Sequence, residues 1–237
     1  MEKRILIFTA TYNEIDNINT FLNNIEKLKI KLDILIIDDN SPDKTWEIVE
    51  KYSSLNKNIF LIKRKKKEGL DTAHKLAFKF ARDKKYNYLI TMDADLSHNP
   101  EVIPKFIKNL KNNPFVIGSR YIKHGKNKTN FYRFLLSYFG NIFIKFVLKI
   151  NCSEFTTSYR GFNLDILKKL DIKDVKARGY SFFMETIFLI HKNGYFIKEI
   201  PIIFEDRTKG SSKIPKTEML RTLKNLFYLK FKNKNDK

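Results

Sequence analysis

Short uninterrupted apolar runs alternate with segments whose apolar residues recur every three or four positions, and this alternation fills the first half of the chain. Residues 5–8, 34–37, 59–62, 88–92 and 115–117 are the runs. Between them Ile15, Ile18, Phe21, Leu22, Ile25 and Leu28 fall at helical spacing, as do Trp46 with Val49, and Ala73 with Leu76, Ala77 and Phe80. Asn99-Pro100 supplies an N-cap and a first-turn proline for a helix extending to about Lys111. Strands that are apolar without alternation are buried on both faces, so the pattern predicts an α/β fold: a mostly parallel sheet with helices on both sides. Right-handed crossovers place the strands' C-terminal ends along one edge, where open α/β sheets bind ligands. That edge gathers Thr11-Tyr12-Asn13-Glu14, Asp38-Asp39 and Asp93-Ala94-Asp95, with Arg120 nearby.

The second half reads differently. Residues 131–150 predict a long aromatic-aliphatic helix interrupted by Arg133, Asn141, Lys145 and Lys149. An irregular loop over 151–161, a short helix at 164–170, a helix at 182–191 and a strand at 196–204 follow. A polar loop over 205–213 then leads to a basic amphipathic helix from Glu218, which decays into a solvated tail at 231–237. Without repeats or a long linker, residues 1–237 are expected to form a single domain. No stretch of about 18 uncharged apolar residues occurs, and Met1-Glu2-Lys3-Arg4 runs straight into a strand with no signal architecture. The expected location is cytoplasmic, with any membrane contact peripheral.

Composition narrows the classes. Across 237 residues, 43% hydrophobic and 14% aromatic content provides a core and excludes disorder. One cysteine, Cys152, excludes a disulfide scaffold and a cysteine zinc site, and the four histidines form no His-x-x-x-His pair. Lysine and arginine total 46 against 26 acids, a net charge of +20. That excess suits a nucleic acid, an anionic membrane or a phosphorylated substrate; usage rich in Lys, Asn, Ile and Phe offers a second explanation in an AT-rich coding sequence.

Alternate residues of an extended segment point the same way, so Asp93 and Asp95 project together from a strand end. Such a carboxylate pair suits a hard cation, Mg²⁺ or Mn²⁺, that also takes phosphate oxygens, although Asp-x-Asp also occurs as a plain turn. Asp38 and Asp39 directly follow a buried strand and suit the hydroxyls or base edge of a nucleotide, while Ser41 or Asp43 suits a helix cap. Glu14 serves equally well as an acid at a helix N-terminus.

The order of TYNE, DDNSPDKT, DAD and GSRY, each after a strand, resembles the family 2 glycosyltransferases of GT-A (Rossmann-like) fold. Within them, 92–100 (MDADLSHNP), 118–121 (GSRY), 156–160 (TTSYR) and 206–213 (DRTKGSSK) are similar to dolichyl- or polyprenyl-phosphate mannose synthases. The resemblance spans about 4–229. It implies a nucleotide-sugar-binding half up to about residue 120 and an acceptor- and membrane-facing half beyond. It implies that Thr11, Tyr12, Glu14, Asp38, Asp39 and Ala94 line the donor site and that Asp93 and Asp95 bind Mg²⁺ or Mn²⁺. Arg120, Arg160, Arg207 and Lys213 would neutralise the donor diphosphate and the acceptor lipid phosphate, with Met184 and Glu185 on the sugar side. The implied reaction is inverting transfer of mannose from GDP-mannose to a polyprenyl (dolichyl-type) phosphate. UDP-glucose or another nucleotide sugar is the alternative donor, and a basic nucleic-acid-binding protein is a remote one.

Three positions depart from the family pattern. Asp71 stands at a usual glycine and is expected to cap the helix at Thr72; Glu154 replaces an aspartate; Ser97 stands where some relatives carry an amide. The aromatic face of helix 131–150, with Phe131, Phe134, Leu135, Tyr138, Ile142 and Phe146 among basic residues, is expected to lie at a membrane interface, with helix 216–231 as a candidate second element; a core or dimer helix is the plain alternative. A small membrane-anchoring subunit is a further partner the resemblance implies.

Overall fold

The computed structural model describes residues 3–206 and 217–235. The first half follows the expected alternation: β1 (Ile5–Thr11), α1 (Ile15–Glu26), β2 (Asp33–Asp38), α2 (Thr45–Leu55), β3 (Ile59–Lys63), α3 (Leu70–Asp83), β4 (Tyr88–Thr91), α4 (Ile103–Leu110) and β5 (Phe115–Ser119). Then come β6 (Lys126–Asn127), α5 (Phe131–Leu148), β7 (Arg160–Asn163), α6 (Ser181–Lys192), β8 (Ile197–Pro201), β9 (Ile203–Phe204) and α7 (Thr217–Asn235). Seven strands make one sheet in the order β3, β2, β1, β4, β7, β5, β8. Every pairing is parallel except those of β7, which runs antiparallel to both β4 and β5.

Strand alternation sorts the core into two layers. Leu6, Phe8, Leu35, Ile37 and Leu89 pack towards α3, α5, α6 and α7. Ile5, Ile7, Ile34, Ile36 and Ile90 pack towards α1, α2 and α4. Each such side chain contributes about 1.5–3 kcal/mol by leaving water. Asn99 caps the turn before α4 as its sequence predicts, accepting from the Glu101 amide at 2.9 Å.

Several expectations are corrected. The loop expected over 151–161 ends in β7, and the segment 164–170 makes turns instead of a helix. Asn163 Oδ1 accepts from the Asp165 and Ile166 amides (3.1 and 3.2 Å), and Arg82 Nη2 takes the Leu167 and Leu170 carbonyls (2.6 and 2.7 Å). The strand expected at 196–204 divides around Ile202, whose side chain fills the space beside Gly118; a Cβ on Gly118 would lie 2.8 Å from it. β9 then pairs with β6 in a separate two-stranded sheet. The expected tail from 231 is helical to Asn235.

Asp71 does not cap its own helix. Gly69 is the N-cap of α3, at φ 96°, and Asp71 Oδ1 accepts the Gly179 amide at 3.0 Å, 108 residues away. Gly179 adopts φ +59°, and a Cβ there would sit 2.7 Å from Glu218 Oε2. Glu218 in turn accepts from the Tyr180 amide at 3.1 Å, which docks the first turn of α7 on this loop.

Only Asn141, Ile144 and Leu148 of the 18 residues of α5 are buried. Asn141, read from sequence as an interruption, anchors the helix: its Oδ1 accepts the Phe155 amide at 2.7 Å. Lys230 of α7 donates to the Val147 carbonyl at 2.7 Å. Phe131, Leu136, Phe139, Ile142, Phe143 and Phe146 are exposed, as are Leu220, Phe227, Tyr228 and Phe231 of α7. Among the described residues α5 is the one helix long and apolar enough to cross a membrane.

Gly161 in β7 faces α4, and a Cβ there would lie 3.0 Å from both Phe106 and Leu110. Gly161→Val is expected to destabilise the fold by about 1–3 kcal/mol through overpacking, measured as a lower urea midpoint with unchanged slope.

Candidate active site

The turns after β1 and β2 interlock. Asp38, fully buried, accepts from Thr11 Oγ1 (2.8 Å) and from the Ser41 amide and hydroxyl (2.8 and 2.6 Å). Ser41 Oγ accepts the Asn13 amide at 3.1 Å. Asp43 accepts from Thr45 and from the Ile15 amide (3.0 Å each to nitrogen), joining the starts of α2 and α1. Asn13 and Asn40 take the left-handed conformation these turns require. Thr11 and Asp38 are therefore corrected: their polar atoms shape the edge from within instead of lining it.

Asp39 takes different partners. It forms a buried ion pair with Arg64 and accepts the Gly69 amide at 3.2 Å. Arg64, only 7% exposed, also donates to Thr72 Oγ1 (2.5 Å) and the Gly69 carbonyl (3.0 Å). In sequence Arg64 is hidden inside the basic run 63–67; its signal is its place directly after β3. Two other members of that run lie over rings, Lys67 Nζ 3.8 Å from the Tyr12 centroid and Lys63 Nζ 3.0 Å from that of Trp46. Tyr12 and Glu14 stay half-buried at the same edge, Glu14 accepting from Asn17 Nδ2 at 2.8 Å.

Asp93 and Asp95 stand beyond the end of β4. Asp93 is 35% exposed; its Oδ1 accepts from Ser158 Oγ at 2.6 Å and its amide donates to His98 Nδ1 at 3.1 Å. Asp95 is buried, and its Oδ1 accepts from the Ser97 amide (3.1 Å) and hydroxyl (2.6 Å). Ser97 is thus occupied in holding Asp95. Leu96 between them is left-handed, at φ 65°, a conformation that costs a non-glycine residue about 1–3 kcal/mol and marks a fixed turn. Ala94 is packed in the core and offers the donor no side chain. No group of three or more His, Cys, Asp or Glu that could hold a metal occurs among the described residues. Two carboxylates, one reaching solvent, fit the way Mg²⁺ and Mn²⁺ are held jointly by a protein and a diphosphate.

Arg120 follows β5 and is clasped by Glu154: Nε to Oε2 at 2.6 Å, Nη2 to Oε1 at 2.8 Å, and Nη2 to Thr156 Oγ1 at 2.8 Å. Burial alone would lower the guanidinium and raise the carboxyl. Their attraction and hydrogen bonds outweigh it, so Arg120 sits above its ordinary value and Glu154 below. The extra methylene of Glu154 lets its carboxylate meet Arg120 side-on, with both oxygens engaged.

Arg160 is corrected. Its guanidinium is buried and donates to the carbonyls of Thr157 (2.8 Å), Phe183 (2.8 Å) and Phe155 (3.0 Å). It braces the loop 155–157 against α6. Burial pushes it down to about 9, and burial with Arg160 beside it pushes His74 down to about 3. Glu185 is corrected likewise, its oxygens accepting the Lys176 and Ala177 amides at 3.0 and 2.8 Å; Met184 is core. Arg207 and Lys213 lie outside the described residues. Sequence reading passed over Arg133, which α5 places 3.4 Å from Asp206.

A carboxylate-rich C-terminal edge on a largely parallel sheet, crossed by one reversed strand, is the arrangement of a GT-A-fold glycosyltransferase. The chain belongs to glycosyl transferase family 2, whose family model matches residues 6–171. It is 31% identical over 213 residues to undecaprenyl-phosphate mannosyltransferase of Micrococcus luteus, covering 89% of this chain and 87% of the relative. It is 29% identical over 215 residues to polyprenol monophosphomannose synthase of Mycolicibacterium smegmatis, covering 90% and 81%. Among solved structures it is similar to a mannosyltransferase of Pyrobaculum calidifontis in complex with GDP-Man and Mn²⁺, with TM-score 0.61 and 17% identity, covering all of this chain and 65% of that one. Glucosyl-3-phosphoglycerate synthase of Mycobacterium tuberculosis, in complex with Mn²⁺ and UDP-glucose, gives TM-score 0.66 at 14% identity, covering 94% and 79%.

Glu154→Gln leaves a buried guanidinium without its counter-charge and is expected to destabilise the protein by about 3–5 kcal/mol in urea unfolding. The folded Glu154 lies below its ordinary 4.5, so its stabilisation is complete above that pH and is lost as pH falls through the folded value. Melting curves should therefore show a smaller acid-induced drop in Tm for Glu154→Gln than for wild type.

Proposed function

We propose that this enzyme transfers mannose from GDP-mannose to a polyprenyl phosphate at a membrane surface, with inversion at the anomeric carbon. One observation carries the reading: similarity over 89% and 90% of the chain to two polyprenyl-phosphate mannose enzymes coincides with acids and cations collected at one sheet edge. Tyr12, Glu14 and Asp39 hold the nucleoside. Asp93 and Asp95 hold Mg²⁺ or Mn²⁺, which when bound stabilises the departing diphosphate. Arg120, fixed by Glu154 through Nε and Nη2, is assigned to the donor diphosphate, and Arg207 and Lys213 to the acceptor phosphate.

The acceptor is a phosphate monoester with a second pKa of about 6, largely dianionic at neutral pH. One of its oxygens forms the bond to the anomeric carbon while the bond from that carbon to the donor's phosphate oxygen breaks and GDP leaves. No proton has to be removed from the nucleophile, so the side chains supply position and charge. The exposed apolar face shared by α5 and α7, rimmed by Lys145, Lys149, Lys224 and Lys232, suits the interface of an anionic bilayer.

Protein incubated with Mg²⁺, polyprenyl phosphate and labelled GDP- and UDP-sugars should move label into the lipid fraction from GDP-mannose; label arriving only from a UDP-sugar would overturn the donor assignment. Asp95→Asn should lose nearly all transfer, by more than about a hundredfold, with an unchanged melting curve. Phe139→Glu combined with Phe143→Glu should abolish sedimentation with anionic vesicles in a folded protein, and unchanged binding would refute the interfacial role.

A further inference from the structure

Resting on the metal reading above, the geometry points to His98 as a positioning residue that sets Asp93 for its ion. His98 is 1% exposed and five residues beyond Asp93. Its Nδ1 accepts the Asp93 amide at 3.1 Å, and its Nε2 faces Thr157 Oγ1 at 3.3 Å. Accepting at Nδ1 requires that nitrogen to be bare, which puts the ring hydrogen on Nε2. The ring lies against Tyr159 (centroids 4.9 Å apart) and edge-on to Phe204 (5.4 Å), and its main chain bridges to Phe204, so it cannot turn away.

The Asp93 amide lies just past the end of β4, where its bond to Nδ1 fixes the first peptide of the turn. The Met92 amide donates to the Phe8 carbonyl at 3.0 Å, the last rung before the chain leaves β4. From there the Asp93 peptide is fixed by His98 and its carboxylate by Ser158. Asp95 is held separately, through Ser97. Removing the imidazole takes away the Nδ1 bond that fixes the 92–93 peptide carrying Asp93, and leaves the Ser97 bonds to Asp95 and the Asp39–Arg64 pair untouched.

Two substitutions separate this role from simple filling of the core. The side-chain amide of Asn reaches the position of Nδ1, and that of Gln reaches Nε2. His98→Asn therefore restores an acceptor for the Asp93 amide, and His98→Gln does not. Titration calorimetry of Mn²⁺ in the presence of GDP should show binding weakened about 10–100-fold in His98→Gln, as when a group that orients a metal ligand is lost, and recovered in His98→Asn to within about threefold of wild type. Both should lose similar Tm, since both lose the ring. Equal weakening in the two variants, or none in either, overturns the proposal. Should either variant fail to fold, ¹⁵N–¹H spectra of the wild-type imidazole decide: a hydrogen on Nε2 is expected, and one on Nδ1 overturns it. Asp93→Asn separates the two levels. Wild-type Mn²⁺ uptake that Asp93→Asn abolishes, with His98→Gln unaffected, removes this inference alone; absence of wild-type uptake removes the metal reading and this inference with it.

Discussion

A parallel sheet delivers only the C-terminal ends of its strands to the ligand edge, which limits the segments that can meet there. β7 escapes that limit by running backwards between β4 and β5, so that Arg160, its first residue, lies opposite Thr91, the last residue of β4. The loop ahead of it arrives at the acidic edge, and in the five residues from Glu154 to Ser158 it supplies Glu154 to Arg120, Thr157 to His98 and Ser158 to Asp93. The loop keeps its shape because Arg160 turns inward and gathers two of its carbonyls together with that of Phe183. A buried cation is costly unless its donors are satisfied; here three carbonyl dipoles and the Phe183 ring, 4.7 Å from the guanidinium carbon, take that part.

The strands and helices of the first half are legible in the sequence because each long apolar run has one structural solution, and so is the edge where the acids meet. β7 escapes notice because Arg-Gly-Phe-Asn offers a single large apolar residue and no period. Direction of facing is likewise unreadable for single polar residues. Asp38 and Asp39 are neighbours of the same type, yet the first is consumed by Thr11 and Ser41 while the second pairs with Arg64. Arg160 lies within a family-like motif, but nothing local distinguishes a guanidinium turned to a phosphate from one turned to the core. Arg64 is the converse case, a buried partner concealed among exposed lysines.

The face bearing α5 and α7 shows how a polar residue decides what an apolar helix does. Aromatic spacing in 131–148 is equally compatible with burial and with exposure. Asn141, by capturing the Phe155 amide, selects the side that docks, and the larger aromatic surface is left outward. α7 continues the surface, attached to α5 through Lys230 and to the body at its other end through Glu218.

Glu218 can reach that attachment only because nothing projects from the α-carbon of Gly179. The seating of the first turn of α7 thus depends on a bare α-carbon, situated between that turn and Asp71 of α3. A side chain at position 179 would push the first turn of α7 off this loop and re-aim every exposed apolar residue the helix carries.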